Sequence, residues 1–536
     1  PPRSTRKESS AASDVYKRQN TSSDFSSTVF GSKISMPDFL NISKWKLSLI
    51  SGLLIGFAYP PSPFGFLAWF GLTPLIHIIL NSSIFDSLKW SFITGTIVNL
   101  ITVYWFGLNT GTDFAPAIVS MIAAILYLSI FWMLLGFLSS WYHKKTGYGL
   151  SVIPLFWVSI EYLRGFGPLA FSWANLGLTQ VFSLPLIQIA DVTGSIGISY
   201  WVVFLNVIIY VAIYSKGEEK KIISVAACLL VLIFSLGLLR IFSIENKDIL
   251  NEVSIAIVQP NIDPNLKWDE DFRDRIYGTM DSLHNEAIKL NPDLILWPEA
   301  ALPTYLRINY TARKSILQKV SESNIPLLTG TPDRIKSSNN QVDYYNAAMF
   351  IKPDGSTKMY YKMHLVPFAE SIPLSNYFSS FKKLNFGQAN FTAGSEYTMF
   401  AVENIPFANL ICYESSIPKI TRKFTALGAK FITIETNDSW CGHTSGVYQH
   451  FQIAKLRAVE NRLPIARCAN TGISALILPS GKVVKKISFN KQEIFVASVP
   501  IRNISSFYTK YGDWFALLCI LISVLIILTG WFQRRL

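Results

Sequence analysis

The segment LILWPE at residues 294–299 combines a short apolar run, a proline and a carboxylate. It predicts a buried strand with Glu299 at its carboxyl end. Lys362 within YYKMH (360–364) and Cys412 after NLI (409–411) also stand where a predicted strand ends. Because side chains at the carboxyl ends of strands in an α/β sheet converge over one crevice, we expect Glu299, Lys362 and Cys412 to share a cleft.

These three residue types supply the parts of a nucleophilic active site. A thiol needs a base to become a thiolate, and attack on a carbonyl creates an oxyanion that a cation or N–H donors must stabilise. Desolvation would raise the pKa of Glu299 toward that of a working base. Cys412 also precedes a predicted helix at 416–429, whose N-terminal field favours the thiolate.

The chain around these residues alternates short apolar runs with amphipathic helices, which predicts a layered α/β sandwich. The helix after Trp268 places apolar side chains on one face. They are Phe272, Ile276, Met280, Leu283, Ala287 and Leu290. The other predicted elements are strands at 253–258, 293–297, 326–330, 407–411 and 431–435, a helix at 311–323, and hairpins turning at 353–355 and 479–481.

Outside this domain the sequence is strongly apolar. Half of the 536 residues are hydrophobic and 15% are charged, against roughly 25% in an average soluble domain. Runs of about 20 apolar residues are long enough to cross a membrane. Such runs lie at 90–112, 116–143, 192–215, 222–239 and 514–532, with a shorter one at 149–163 and a double-length one at 47–80 that prolines interrupt at 59–63. We therefore predict eight transmembrane helices, with the α/β domain inserted between helices 7 and 8.

Basic residues in the short loops predict the orientation, because Lys and Arg are retained in the cytoplasm. Arg164 is the basic residue of the intervening short loops. The alternate loops and the tail carry Lys44, Lys46, Lys89, Lys144, Lys145, Lys216, Lys220, Lys221, Arg534 and Arg535. Both termini are thus expected in the cytoplasm and the α/β domain on the opposite side. This distribution accounts for the net charge of +13 without a nucleic-acid partner.

The predicted domains follow from these patterns. A polar extension covers residues 1–44, and whether the part before Met36 is native stays open. Helices 1 to 7 occupy 45–245, the α/β domain 250–504, helix 8 residues 512–532, and a basic tail 533–536. The five cysteines form no metal-ligand spacing, so we expect no metal and no cofactor. A disulfide between Cys441 and Cys468 is left open.

Three motifs in this order resemble the Glu-Lys-Cys triad of the nitrilase superfamily, in the form carried by the apolipoprotein N-acyltransferase family. They are WPE (297–299), YxKxHLVPFxE (360–370) and CYE (412–414). Further blocks resemble that family across nearly the whole chain after residue 45. They lie at 58–61, 171–177, 194–197, 259–268, 345–347, 436–440, 449–450 and 467–474. Cys441 and Cys468 depart from the family pattern, which has an aromatic and a small residue there.

The resemblance implies a four-layer αββα domain and a ping-pong acyl transfer. Glu299 would take the Cys412 proton, Lys362 would hold the oxyanion, and Glu370 would support them. The family pattern places four more residues along the site, namely Trp268, Asn346, Tyr413 and Glu414. The implied donor is a phospholipid, with phosphatidylethanolamine expected, and the implied acceptor is the N-terminal amine of a diacylated apolipoprotein. The expected setting is the inner membrane of a bacterium, with a monomer whose catalytic domain is periplasmic.

Two other functions fit part of the pattern. A membrane-tethered amidase would use the same triad to hydrolyse a C–N bond, and water would then resolve the thioester. A transporter with an external binding domain would usually carry ionisable residues within its spans, and the predicted spans hold few beyond His77 and Glu161.

Overall fold

The computed structural model describes residues 42–214, 218–336, 340–372 and 390–532, together with a small strand pair, Thr28–Val29 and Ser32–Lys33. Most of the predicted polar extension, Lys216 and the basic tail with Arg534 and Arg535 lie outside the described residues. Two units make up the rest. We call residues 44–245 with 514–532 the helical part, and residues 249–502 the sheet domain.

Helices are numbered α1 to α15 in chain order. They are α1 Lys44–Gly56, α2 Thr73–Asn81, α3 Ile84–Val103, α4 Phe114–Thr146, α5 Gly149–Leu163, α6 Leu184–Ile187, α7 Ala190–Thr193, α8 Ser195–Tyr214, α9 Glu219–Glu245, α10 Glu270–Lys289, α11 Tyr310–Ser323, α12 Pro418–Ala426, α13 Ser445–Asn461, α14 Phe507–Tyr511 and α15 Trp514–Phe532. Five 3₁₀ segments within the described residues join them, at Gly65–Trp69, Tyr104–Leu108, Leu176–Gln180, Cys412–Ser416 and Asp438–Cys441.

In the part of the chain that the structure describes, five helical segments are long and apolar enough to cross a membrane. They are Ile84–Leu108, Phe114–Thr146, Ser195–Tyr214, Glu219–Glu245 and Trp514–Phe532. All five coincide with predicted spans. The other predicted spans correspond to shorter helices, so the total of eight stays a prediction. The break predicted by the prolines is confirmed, because α1 ends at Gly56 and a non-helical passage leads to the 3₁₀ segment Gly65–Trp69.

The sheet domain contains two six-stranded sheets. In chain order the strands are β1 Ile249–Gln259, β2 Leu294–Leu296, β3 Leu327–Lys336, β4 Val342–Ile351, β5 Thr357–Tyr361, β6 Phe400–Val402, β7 Ile405–Ile411, β8 Phe431–Thr436, β9 Ile465–Ala469, β10 Ser474–Ile477, β11 Val483–Ile487 and β12 Glu493–Arg502. The first sheet has the order β12-β1-β2-β3-β4-β5 and the second β11-β10-β9-β8-β7-β6. Three neighbouring strands of each sheet are parallel, so their carboxyl ends lie at one edge.

Alternating side chains of the strands build the two sides of each sheet. Leu294 and Leu296 of β2 lie in the core shared with Phe407 and Ile434 of the second sheet. Ile295 faces the other way, into a core with α10 and α11. Helices α12 and α13 cover the second sheet. The layers are therefore helices, sheet, sheet and helices, as the resemblance implies. Leu290, predicted on the buried face of α10, is 53% exposed because that helix ends at Lys289.

Helix α13 lies between the second sheet and the helical part. On one side Val447 and Phe451 join the core of the sheet domain. On the other, Ile453, Leu456 and Val459 join the largest core of the helical part. Almost every residue of α13 is buried, including its charged ones. This helix is absent from the sequence prediction, because a helix buried on both sides shows no polar face.

A fully buried arginine joins the two units at the end of α13. Arg462 donates through Nε to Asp191 Oδ2 at 2.9 Å and through Nη1 to Gln188 Oε1 at 2.7 Å and the Pro479 carbonyl at 3.0 Å. Arg240 of α9 pairs with the same Asp191 at 2.6 Å. Such charge-assisted, multiply bonded contacts fix the orientation of the sheet domain on the helices.

Candidate active site

Each of the three predicted residues lies just beyond the carboxyl end of a strand. Glu299 follows β2, Lys362 follows β5, and Cys412 follows β7. Glu299 and Lys362 are 7% and 1% exposed, whereas Cys412 is partly exposed. Lys362 Nζ lies 3.7 Å from Glu299 Oε1, and the charges of both groups act on the Cys412 thiol. Glu299 and Lys362 thus form a buried pair whose charges reach the Cys412 thiol, and the assignment of the three residues as a catalytic triad stays a prediction.

Two further polar side chains complete a network around the lysine. Lys362 Nζ lies 2.8 Å from Glu370, whose Oε2 also accepts from the Val366 N–H at 2.8 Å. Asn346 Nδ2 donates to Glu299 Oε1 at 2.7 Å and to Glu370 Oε1 at 2.8 Å. One ammonium is therefore held between two carboxylates, with an amide bridging them.

Burial and charge oppose each other in this network. Desolvation raises the pKa of Glu299, while the Lys362 ammonium lowers it and the Glu370 carboxylate raises it again, so the pKa is raised overall. Burial alone would lower the pKa of Lys362, but Glu370 and Glu299 outweigh it and raise the pKa above the ordinary lysine range. Lys362 therefore stays cationic, and Glu299 is a stronger base than an exposed glutamate.

Cys412 occupies a strained turn at the end of β7. Its φ is 50°, in the left-handed region that is costly for residues other than glycine, and it begins the 3₁₀ segment Cys412–Ser416. Desolvation, followed by the charge of Glu299, raises the pKa of its thiol. Helix α12 begins only at Pro418, so the contribution of a helix N-terminus to a Cys412 thiolate stays a prediction.

Glu414 ties the nucleophile turn to the strand end that carries Lys362. Its carboxylate accepts from the N–H groups of Ile411 at 2.9 Å and Met363 at 2.8 Å, and from the Tyr360 hydroxyl at 2.9 Å. Burial raises the pKa of Glu414 to about 7, against the lowering effect of these donors. Glu414 is fully buried, and its predicted place along the site stays a prediction.

The remaining predicted residues differ in their surroundings. Tyr413 is partly buried, donates its hydroxyl to the Ala170 carbonyl at 3.2 Å, and stacks on Trp173 with ring centroids 6.5 Å apart. It therefore contacts the helical part. Trp268 is 54% exposed and none of the hydrogen bonds among the described residues joins it to the cleft. Its place in the site stays a prediction.

A second buried network of hydrogen bonds and ion pairs lies beside the nucleophile, and none of the predicted roles involves it. Asp438 follows β8 and pairs with His450 Nδ1 at 2.7 Å and with Arg467 Nη2 at 2.6 Å. His450 Nε2 lies 2.8 Å from Ser415 Oγ and 3.1 Å from the Cys412 carbonyl oxygen. Asp438, His450 and Arg467 fall in sequence blocks that resemble the family, whereas Ser415 directly follows the CYE block. Strand β8 pairs with β7, so the end of β8 was the signal that could have placed Asp438 near Cys412.

Three of these groups lie close enough to be considered as metal ligands. The ligand atoms of Cys412, Asp438 and His450 are all within 4.8 Å of one another. Asp438 already pairs with His450 and with a guanidinium, which brings a positive charge to the place where a cation would bind. The arrangement fits a hydrogen-bonded network better than a metal site.

Lys267 is a buried cation that the sequence analysis did not single out. It is 2% exposed, and desolvation lowers its pKa to about 8 while the charge of Glu299 raises it. It lies between the exposed side chains of Leu266 and Trp268 in the loop before α10. The sequence does not predict that Lys267 is buried, because lysines are usually exposed.

The pKa of Glu299 leads to a testable pH dependence. A base must be ionised to accept a proton, so the rate of thiol acylation should rise with pH through a pKa above the ordinary glutamate range. In Glu370→Gln a carboxylate that raises this pKa is lost, and the acid limb should move to lower pH. The pH profile of single-turnover acylation measures this. Glu286→Gln, on the exposed face of α10, should leave the limb in place, and an unmoved limb in Glu370→Gln would contradict the coupling.

Comparisons with known proteins match both units. Residues 254–508 match the carbon-nitrogen hydrolase family model, and residues 51–208 match the apolipoprotein N-acyltransferase N-terminal domain. The apolipoprotein N-acyltransferase of Chlorobaculum tepidum is 31% identical, covering 91% of this chain and 97% of that protein. That of Rickettsia prowazekii is 30% identical, covering 90% and 97%.

A solved nitrilase-superfamily amidase from Nesterenkonia is 16% identical with a TM-score of 0.37, and the match covers 49% of this chain and 94% of that one. The two relatives match this chain over about nine-tenths of its length. Of the two family models, one covers much of the helical part and the other covers the sheet domain. On this evidence the chain belongs to the apolipoprotein N-acyltransferase family.

Proposed function

We propose that this protein transfers a fatty acyl chain from a phospholipid to the N-terminal amine of an apolipoprotein, with Cys412 as the acyl carrier. The observation that carries the proposal is the buried Glu299–Lys362 pair whose charges act on the Cys412 thiol, in a turn that Tyr413 places against the helical part. Both substrates are lipids, and exposing each methylene to water costs about 0.8 kcal/mol, so the reacting sulfur must lie near the bilayer.

The first half-reaction loads the enzyme. Glu299 takes the Cys412 proton as Sγ attacks the carbonyl carbon of the sn-1 ester, and Lys362 stabilises the negative oxygen that forms. The tetrahedral intermediate collapses as its bond to the glycerol oxygen breaks. Glu299 returns the proton to that oxygen, which leaves a lysophospholipid and a thioester on Cys412.

The second half-reaction delivers the chain. The free amine of the lipoprotein's diacylglyceryl-cysteine attacks the thioester carbonyl, and Lys362 again stabilises the oxyanion. The carbon–sulfur bond breaks, Glu299 accepts the amine proton, and that proton returns to the Cys412 sulfur. The amide is the triacylated product, and the enzyme is restored without a cofactor.

The finer features of the proposal come from the sequence patterns. They comprise eight transmembrane helices, a catalytic domain at 250–504 inserted between helices 7 and 8, the flanking boundaries at 45–245, 512–532 and 533–536, and the polar segment 1–44. The basic loops support cytoplasmic termini and a periplasmic domain on the inner membrane. Phosphatidylethanolamine is the proposed donor, and a monomer the proposed state.

The acyl-enzyme can be observed directly. Purified protein incubated with phosphatidylethanolamine vesicles should gain one acyl mass on the Cys412 peptide, and hydroxylamine should remove it because thioesters are labile to this nucleophile. Intact-peptide mass spectrometry is the measurement. A wild-type protein that never acquires this mass would overturn the proposal.

The same experiment separates transfer from hydrolysis. Addition of a diacylated lipopeptide with a free amine should discharge the thioester into triacylated peptide. The amidase alternative predicts that water discharges the enzyme and that free fatty acid accumulates at an equal rate with or without lipopeptide. An N-acetylated lipopeptide is the matched control, because it keeps the lipid but lacks the nucleophilic amine.

A further inference from the structure

A buried glutamine of α13 contacts three separate segments of the helical part. Gln449 Nε2 donates to the carbonyl oxygen of Pro60 at 3.2 Å and to that of Thr102 at 3.0 Å. Its Oε1 accepts from Trp173 Nε1 at 2.9 Å. These partners belong to the break after α1, the end of α3 and the loop after α5. Gln449 is 2% exposed, so all of these bonds are shielded from water.

The next residue faces the nucleophile. His450 Nε2 lies 3.1 Å from the Cys412 carbonyl oxygen and 2.8 Å from Ser415 Oγ, which itself donates to the same carbonyl at 2.8 Å. Asp438 holds the other ring nitrogen at 2.7 Å. The imidazole ring also packs on Trp173, with centroids 4.9 Å apart. Trp173 therefore contacts both Gln449 and His450.

The turn at Cys412 has a strained backbone and needs contacts that hold it in place. Cys412 has a φ of 50°, and a residue in this region keeps its conformation only when its surroundings hold it. Glu414 holds the amide before Cys412, and Ser415 with His450 holds the carbonyl after it. That carbonyl and the N–H of Tyr413 belong to one planar peptide unit, so holding the carbonyl also fixes this N–H, an expected donor to the oxyanion.

We propose that Gln449 and His450 are positioning residues through which the helical part holds the Cys412 turn in its reactive geometry. The inference rests on the proposed role of Cys412 as nucleophile. It makes the reactivity of the sulfur depend on the packing of Pro60, Thr102 and Trp173, although none of them belongs to the triad. A soluble relative of the sheet domain would lack this control.

Gln449→Leu tests the link, with Gln452→Leu as the matched control. Gln452 lies one turn further along α13, is buried to a similar degree, and its Oε1 has no hydrogen-bond partner. Gln449→Leu should slow both thioester formation and its aminolysis by about 10- to 100-fold, because the same turn serves both steps. The apparent KM for phosphatidylethanolamine should stay within about twofold, and Gln452→Leu should leave both rates within about twofold.

Trp173→Phe provides a milder variant if Gln449→Leu fails to fold. It removes the indole N–H donor and keeps an aromatic ring beside His450, and it should slow both steps in the same proportion. Equal losses in Gln449→Leu and Gln452→Leu would overturn the inference in favour of general helix destabilisation. A change confined to KM would overturn it in favour of donor binding. Unchanged rates in Gln449→Leu would overturn it outright, whereas failure of the wild type to form the thioester would overturn the proposed function instead.

Discussion

Cys412→Ala is expected to abolish acyl transfer, with a loss of about 10⁴-fold or more in turnover. The reason is that in the proposed mechanism this side chain carries the acyl group in both half-reactions, and the charges of Glu299 and Lys362 both act on its thiol. Cys412 is partly exposed and packs against the sheet-domain core from outside it, so its replacement by alanine should leave the protein folded. Transfer of a labelled acyl chain to lipopeptide, with purified variants in vesicles, measures the loss.

Cys441→Ser is the matched control. Cys441 is a free, partly exposed thiol close enough for the charge of Cys412 to act on it, but it lies in a separate 3₁₀ segment. Its replacement should leave turnover within about threefold, a range typical of a surface change beside a site. Residual transfer by Cys412→Ala, or a loss in Cys441→Ser as deep as that in Cys412→Ala, would contradict the assignment of the nucleophile.

Lys362→Met is expected to reduce turnover by about 10²- to 10³-fold or more, because in the proposed mechanism it removes the cation that stabilises both oxyanions. It also leaves the carboxylates of Glu299 and Glu370 facing each other in a buried site. Breaking a buried ion pair by removing one partner costs about 3–5 kcal/mol, so the thermal midpoint should fall as well. Turnover and thermal unfolding in the same detergent measure the two effects.

A double variant separates the two effects of this lysine. In Lys362→Met with Glu370→Gln, one of the facing carboxylates becomes neutral, so part of the lost stability should return. Turnover should not return, since the oxyanion still lacks its cation. Recovery of turnover together with stability would show that Lys362 acts only by holding the fold, and would remove it from the proposed mechanism.

Local patterns predicted the strands that carry the site. The runs before Glu299 and Cys412 are apolar and end in a polar residue, and both form central strands of the sheets. Their parallel neighbours set each carboxyl end at one edge of its own sheet, and the packing of the two sheets on a shared core brings Glu299 and Cys412 near each other. Lys362 instead follows the edge strand β5, and its side chain is held by Glu370, which Asn346 bridges to Glu299.

The free thiols settle a point that the sequence left open. Cys441 and Cys468 do not form a disulfide. Cys468 is buried in β9, and its Sγ donates to the carbonyl oxygens of Val258 and Leu296 in the first sheet at 3.2 and 3.3 Å. It packs between the sheets as a small apolar residue would, which fits the small residue of the family pattern.

The apolar spans, the alternation of strands and helices, and the polar residues at strand ends could be predicted from the residues alone, because they depend on side-chain periodicity over a few positions. The distant segments that surround the nucleophile could not, because long-range packing brings them together. The bonds from Gln449 to Pro60 and from Arg462 to Gln188 join residues 389 and 274 positions apart. Gln449 lies in helix α13 and Arg462 directly follows that helix, which is buried on two sides, so neither its amphipathicity nor its polar residues could reveal it. The position of helix α13 follows from the packing of the sheet domain against the helical part. No local sequence pattern encodes that packing.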